Sequence, residues 1–384
     1  KTYKMNDMKG KQGMVCMGLL LVLSSCHTGK QITASGLQRK DFQTEVNGQH
    51  TDLFTLSNKQ GMEVCITNYG ARVVSILVPD RNGKREDVVC GFSTITEYME
   101  QRQNFGSTVG RYIGRILNAR FTLDGVEYKL VPNNGKSGHI SHGGNPGFAD
   151  RIWKVEQADT HRACLSYLSP DGENGFPGNL KVTLVYSLGE DDNALDLTYE
   201  ATTDAPTVLN LSHHSFFNIS GNFTKSVEDQ QLWVDADRFT PYDDKKCVTG
   251  EYLPVAGTPL DFRMPHAIGE CIDADHPQLK VVNGYDHTWE LNTKGDDTRP
   301  AAWVYDPASG RKMEIFTTEP GMQIYTGNGL KGKMTGKRGI AYPFRSAVCF
   351  ETMHFQDSPN QPGFPSTVLR PGEVFRSHTV YKFE

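Results

Sequence analysis

Two stretches of this chain place ionisable side chains among apolar and aromatic neighbours: Asn210-Leu-Ser-His-His-Ser-Phe-Phe-Asn218 and Phe350-Glu-Thr-Met-His-Phe-Gln-Asp-Ser-Pro-Asn360. His214 in the first and Glu351 in the second are the candidates for chemistry. Partial burial raises a carboxylate's basicity, and an imidazole can give or take a proton near neutrality. One acid and one base suffice to move two protons across a small substrate. Each residue also has an ordinary structural reading. A buried histidine is often a core residue whose nitrogens bond to backbone. A glutamate on an alternating strand can face solvent, and the pattern around Phe350 and Thr352 leaves the direction of Glu351 open. Against those readings stands the crowding of Asn210, His213, His214, Ser215 and Asn218, since such polar density costs burial energy unless partners or a ligand match it.

Three further residues suit recognition of a polyhydroxylated ring. They are Arg115 in Gly110-Arg-Tyr-Ile-Gly-Arg-Ile116, His142 in Ser141-His-Gly-Gly144, and Asp286 in Gly284-Tyr-Asp-His287. A guanidinium fork, an imidazole and a carboxylate supply donors and acceptors, and adjacent glycines let backbone come close to a ligand. Tyr112, Phe216, Tyr285 and Trp289 are candidates to stack on the ring's apolar face. Taken one at a time, each of these residues has an equally ordinary place on a solvated surface or in a core. The Gly110-x-x-x-Gly114 spacing lacks the third glycine or the Gly-Lys-Ser/Thr of a nucleotide loop. No His-Glu-x-x-His or EF-hand spacing occurs, so no metal is expected to be essential, though an acidic surface could take up incidental calcium.

The elements that must hold these residues read as strands. Leu180, Val182, Leu184, Tyr186 and Leu188 alternate with polar or smaller residues, as do Leu195, Leu197, Tyr199 and Ala201. Asp124-Gly125 and Asn82-Gly83 mark tight hairpins. The span 93–103 alone predicts a short helix. Many strands, frequent turns among 38 Gly and 19 Pro, and little helix predict an all-β chain folded as a large antiparallel sandwich. No Cys-x-x-Cys pair is present, so Cys65, Cys90, Cys164, Cys247, Cys271 and Cys349 read as free, small core residues, with one disulfide left open.

Residues 1–25 read as a signal peptide: Lys4, Lys9 and Lys11 precede an apolar run over 14–23, which is too short to span a bilayer. Leu23-Ser-Ser-Cys26 is similar to the lipobox of bacterial lipoproteins, which makes Cys26 the expected lipidation site. The alternative is an ordinary secretory peptide ending at Ser25. The expected organisation is then a tether over 26–40 and a single catalytic domain over 41–384. The expected location is a bacterial cell envelope, lipid-anchored, periplasmic or outer-membrane associated. The whole chain carries 40 basic and 45 acidic side chains; removing 1–25 takes away four basic and one acidic. The acidic balance that remains offers nothing to nucleic acid and suits a neutral substrate.

Eight motifs in order resemble the aldose 1-epimerase (galactose mutarotase) family. They are Asn68-Tyr-Gly-Ala71, the Gly110–Ile116 run, His142-Gly-Gly, Ser169-Pro-Asp-Gly-Glu-Asn-Gly-Phe-Pro-Gly178, the Asn210–Asn218 run, Gly284-Tyr-Asp-His287, Gln323-Ile-Tyr-Thr-Gly-Asn328, and the Phe350–Asn360 run. The resemblance implies a galactose mutarotase-like supersandwich that acts on free aldose sugars. It implies Glu351 as catalytic base and His214 as general acid, with Arg115, His142, Asp286 and Gln323 holding the sugar, and no cofactor. A monomer is expected. The family often has Asn where this chain has Gly114 and Asn where it has His213, and these departures bear on sugar preference and on the acid's proton affinity. Two other readings compete: a glycoside hydrolase using Asp286 and Glu351 as its carboxylate pair, and a carbohydrate-binding lipoprotein with no catalysis.

Overall fold

The computed structural model describes residues 31–384. A nine-stranded antiparallel sheet forms one layer. Its strands run Lys154–Ala158, Arg162–Ser169, Leu180–Leu188, Ala194–Thr203, Phe375–Phe383, Lys312–Thr317, Ala302–Tyr305, Gln231–Val234 and His266–Ala267, in that spatial order. The period-two signal explains its centre. Leu180–Leu188 and Ala194–Thr203 pair along their length, Leu184 opposite Tyr199 and Tyr186 opposite Leu197. Every second residue of Leu180–Leu188 is buried, so one face packs inward while the other keeps its polar groups near water.

A six-stranded antiparallel sheet carries most of the site. Its order is Phe216–Phe217, Val348–Met353, Gly321–Tyr325, Asp286–Glu290, Arg238–Thr240 and Leu253–Pro254. A four-stranded sheet, Leu53–Ser57, Glu63–Thr67, Arg72–Pro79 and Arg85–Asp87, completes the main layers. Val64, Ile66, Val73 and Ile76 from the small sheet join Val182, Leu184 and Leu197 of the large one in a single core cluster. Phe217, Ile324 and Phe350 bring the six-stranded sheet into the same cluster. The sandwich expected from the sequence is therefore present, built from antiparallel strands with little helix.

Turn chemistry follows the sequence closely. Asp124 and Gly125, both at positive φ, join Arg120–Leu123 to Val126–Lys129 with Leu123 opposite Val126, the two-residue hairpin that right-handed strand twist favours. Asn82-Gly83 turns the chain between Pro79 and its partner Arg85, with Asp80 accepting the backbone N–H groups of Asn82 and Lys84. The expected helix is shorter than the span 93–103: Ile95–Gln101 is bounded by a Thr94–Glu97 capping box and by Arg102 in the left-handed region. A second helix, Pro277–Val282, was not anticipated. Its start is set by proline in the first turn and by His276 accepting the Gln278 N–H, a signal too short to register as periodicity.

The expected signal peptide and Cys26 lie outside the described residues, as does the first part of the expected tether. From residue 31 the chain is packed rather than free. Leu37 and Phe42 are buried, and the Ser35 N–H donates to Glu63 across to the four-stranded sheet. Two apolar anchors and a buried carboxylate hold this part of the expected tether against the sheet. All six cysteines among the described residues are free thiols. Cys65, Cys90 and Cys349 are core residues as expected, whereas Cys164, Cys247 and Cys271 are partly exposed.

Candidate active site

Glu351 lies mid-strand in Val348–Met353, opposite Gln323 of Gly321–Tyr325, which in turn faces Thr288 of Asp286–Glu290. The question the pattern left open is thereby answered. Phe350 joins the core cluster, and alternation turns Glu351 and Met353 to the opposite face, where both line a cleft. His214 ends the short strand Ser212–His214, paired with Ser107–Val109. Its ring stacks on Phe216 at 5.1 Å and meets the edge of His142 at 5.5 Å. The imidazole Nε2 stands 3.4 Å from Glu351 Oε1, with both side chains almost wholly buried.

The cleft, about 250 Å³, is lined by Arg115, His142, His214, Asp286, Gln323 and Glu351 together. All six residues singled out for the site from sequence thus border one hollow of a size suited to a single sugar ring. Of the expected stacking aromatics only Phe216 reaches it. Tyr112, Tyr285 and Trp289 are core residues whose polar tips bond to the carbonyls of Phe355, Pro259 and Leu260. Tyr325, instead, lines the cleft beside Phe216.

Burial governs the electrostatics. It pushes the Glu351 carboxyl well above the usual carboxylate range, reinforced by the charge of Asp286. It pulls the His214 imidazole well below its ordinary value, with His142 adding to the effect. Each group alone is thus driven toward its neutral form. Their 3.4 Å contact gives a proton a direct path between the imidazole and the carboxyl. His214 Nδ1 has no hydrogen-bond partner, so the proton that matters is on the Nε2 side, facing Glu351.

The surrounding polar groups are oriented by one another. The Gly114 N–H donates to His142 Nδ1 at 3.4 Å, which leaves Nε2 as the protonated nitrogen. Burial and Arg115 lower the His142 pKa to about 4, so at neutral pH it is an uncharged hydrogen-bond donor. Gln323 Nε2 donates to Asp286 Oδ1 at 2.6 Å, and Thr288 Oγ1 donates to Gln323 Oε1 at 2.5 Å. Burial raises the Asp286 pKa, while Arg115 and this Gln323 bond oppose it. The glycines of His142-Gly-Gly permit close packing within the protein. Gly143, at φ +79°, lies where a Cβ would meet the Gly110 carbonyl oxygen at 1.9 Å, so two backbone segments are what approach closely.

Gln356 was missed in the sequence reading, although it stands five residues beyond Glu351 in the same motif. It lines the cleft and donates to Tyr242 Oη at 2.7 Å. His213 faces the other way from His214 and is occupied structurally, sharing a 2.6 Å hydrogen bond with Ser215 and lying beside Tyr186 and Tyr381. Burial lowers its pKa to about 3. It therefore brings no positive charge to the acid at neutral pH. One group of metal-ligating side chains lies here: atoms of His214, Cys349 and Glu351 fall within 4.8 Å of one another. An ion on those atoms would occupy both proton carriers.

The chain is similar to known proteins over most of its length. Galactose mutarotase of Sus scrofa is 39% identical over 330 residues, covering 86% of this chain and 93% of that protein. Aldose 1-epimerase of Escherichia coli is 36% identical over 340 residues, covering 88% and 96%. Among solved structures, an aldose epimerase homologue from C. elegans superposes with a TM-score of 0.80 at 30% identity, covering 87% of this chain and 99% of that one. Galactose 1-epimerase from Lactobacillus acidophilus gives 0.77 at 28% identity, covering 89% and 96%. The aldose 1-epimerase family profile matches residues 52–382, a span that contains every cleft residue described above, and the chain belongs to that family.

Proposed function

We propose that the protein is an isomerase that interconverts the α and β anomers of free hexoses such as galactose and glucose. The observation that carries the reading is the contact of His214 Nε2 with Glu351 Oε1, 3.4 Å apart at the wall of a sugar-sized cleft. A hemiacetal's hydroxyl oxygen and ring oxygen share one carbon, so an acid and a base that serve them must stand side by side. Glu351, as carboxylate, takes the C1 hydroxyl proton, and His214, as imidazolium, delivers one to the ring oxygen. The ring opens to the aldehyde, the C1–C2 bond rotates, and both transfers reverse on the other carbonyl face. The pair ends as it began, with one proton. Positioned acid–base groups are worth about 10²–10⁴-fold each.

Arg115 and the His142 Nε2–H are the donors suited to negative charge growing on the sugar oxygens. Asp286 and Gln323 hold ring hydroxyls. The chemistry is balanced by protons alone and calls for no redox cofactor. The Leu23-Ser-Ser-Cys26 motif supports a companion reading, in which acylated Cys26 holds the enzyme in the cell envelope. Mass spectrometry of the mature N-terminus checks the anchor; an unmodified residue there would remove it.

Optical rotation of freshly dissolved α-D-galactose and α-D-glucose is the direct assay. Rotation should relax to equilibrium faster with protein than without, and glycosides should be left intact. No acceleration for any free aldose, or release of reducing sugar from glycosides, would overturn the assignment.

A further inference from the structure

The space above Gly114 is filled by a side chain from a distant part of the chain. At φ +74°, Gly114 sits where a Cβ would come 2.6 Å from Gln356 Cγ and 3.1 Å from its Cδ. Both residues line the cleft, flanking Arg115. The Asp357 N–H donates to the Arg115 carbonyl at 2.8 Å, and Asp357 Oδ1 accepts the Leu117 N–H at 2.9 Å. The Gln356 backbone is therefore fixed against the segment that carries the arginine. Its amide is aimed as well: Nε2 donates to Tyr242 Oη at 2.7 Å and reaches Gln323 Oε1 at 3.4 Å. With the donor end engaged, Oε1 faces away from Tyr242, and among the described residues no donor reaches it.

A buried amide with one end anchored and an acceptor left over in a sugar-sized hollow has a place for a hydroxyl. We propose that Gln356 is a substrate contact that sets sugar preference, its Oε1 accepting a hydrogen bond from one ring hydroxyl beside Arg115. The contact exists because residue 114 has no side chain: any side chain there would expel the Gln356 amide. Through Tyr242 and Gln323 the same amide is joined to Asp286 by a continuous chain of hydrogen bonds. This inference rests on the anomer-interconverting reading of the site, and its test separates the two.

Mutarotation kinetics of the full protein and of Gln356→Leu, which keeps the bulk and removes the amide, are compared on galactose, glucose and their monodeoxy derivatives. The expected result is a KM raised about 5- to 20-fold for the preferred hexose, the loss of one hydrogen bond, with kcat nearly unchanged. On the one deoxy sugar that lacks the contacted hydroxyl, wild type and variant should coincide. Gly114→Asn should reproduce the selectivity of Gln356→Leu, because it displaces the same amide. A penalty spread equally over every deoxy sugar would mark a structural role and overturn the proposal, as would an unchanged KM throughout. Calorimetric titration of each sugar into Glu351→Gln, with and without Gln356→Leu, reads the contact without turnover. Equal affinities there would overturn the contact even if wild type epimerises; wild type that binds sugar but fails to epimerise would instead overturn the activity.

Discussion

At the scale of single residues, what matters is that His214 and Glu351 are in contact, so that the proposed proton transfers involve one coupled pair. Burial moves the carboxyl up and the imidazole down, so the pair resists both a second proton and the loss of its only one. The expected kcat profile is level through neutral pH. Its acid limb should begin below the ordinary histidine value of 6.5, where the pair takes its second proton, and its alkaline limb well above the ordinary carboxylate value of 4.5. A profile that fell between about pH 6 and 7 would mean an ordinary solvated histidine. Glu351→Gln and His214→Asn should each lower kcat by about 10²–10⁴-fold while circular dichroism and thermal midpoint stay near wild type. Near-normal turnover in either variant would remove its assigned role. His142→Asn, which retains a donor, should lose less than either.

At the scale of elements, neighbouring strands are pinned by a charged clamp that is not part of the cleft lining. His378 in Phe375–Phe383 bonds Asp196 Oδ2 of Ala194–Thr203 through Nε2 and Asp297 Oδ2 through Nδ1, both at 2.6 Å. Asp196 and Asp297 raise its pKa to about 9, against the desolvation that would lower it. A histidine whose folded pKa lies above its unfolded value stabilises fully below about pH 6.5, and that contribution is lost as pH rises through about 9. The three side chains are each about 30% exposed, so solvent screening leaves a contribution on the order of 1 kcal/mol. His378→Gln should therefore unfold at a lower denaturant concentration than wild type at pH 6. The gap should close above about pH 9, whereas a gap that held constant with pH would show packing, not charge, to be what His378 supplies.

At the scale of the whole molecule, the site depends on two sheets being held in fixed relation by the core between them. Leu197 lies at the centre of the nine-stranded sheet and is fully buried in the cluster that also holds Phe350 and Ile324, neighbours of Glu351 and Gln323 in the chain. Leu197→Ala should cost about 2–5 kcal/mol of stability, set by how far the cavity collapses. KM for galactose should change little while the fold survives. A change in KM larger than about twofold at a temperature where the variant is folded would show that this packing sets the cleft's shape as well as its stability.

Local sequence was enough to specify the sandwich and to name six of the residues that line the cleft. Alternation at Leu180–Leu188 and the turn pair Asp124-Gly125 are signals complete within a few residues, and they specify strands and hairpins directly. The ordered motifs brought Glu351, His214, Arg115, His142, Asp286 and Gln323 into view for the same reason, because each motif is contiguous. The remainder depended on how segments far apart in the chain meet in space. That Glu351 faces the cleft follows from which side of its strand the core occupies, and alternation alone is blind to that. Gln356 above Gly114, Tyr112 bonded in the core to the Phe355 carbonyl, and the contact of His214 with Glu351 are likewise products of folding. Each is a distance between residues on different elements, which no local pattern encodes.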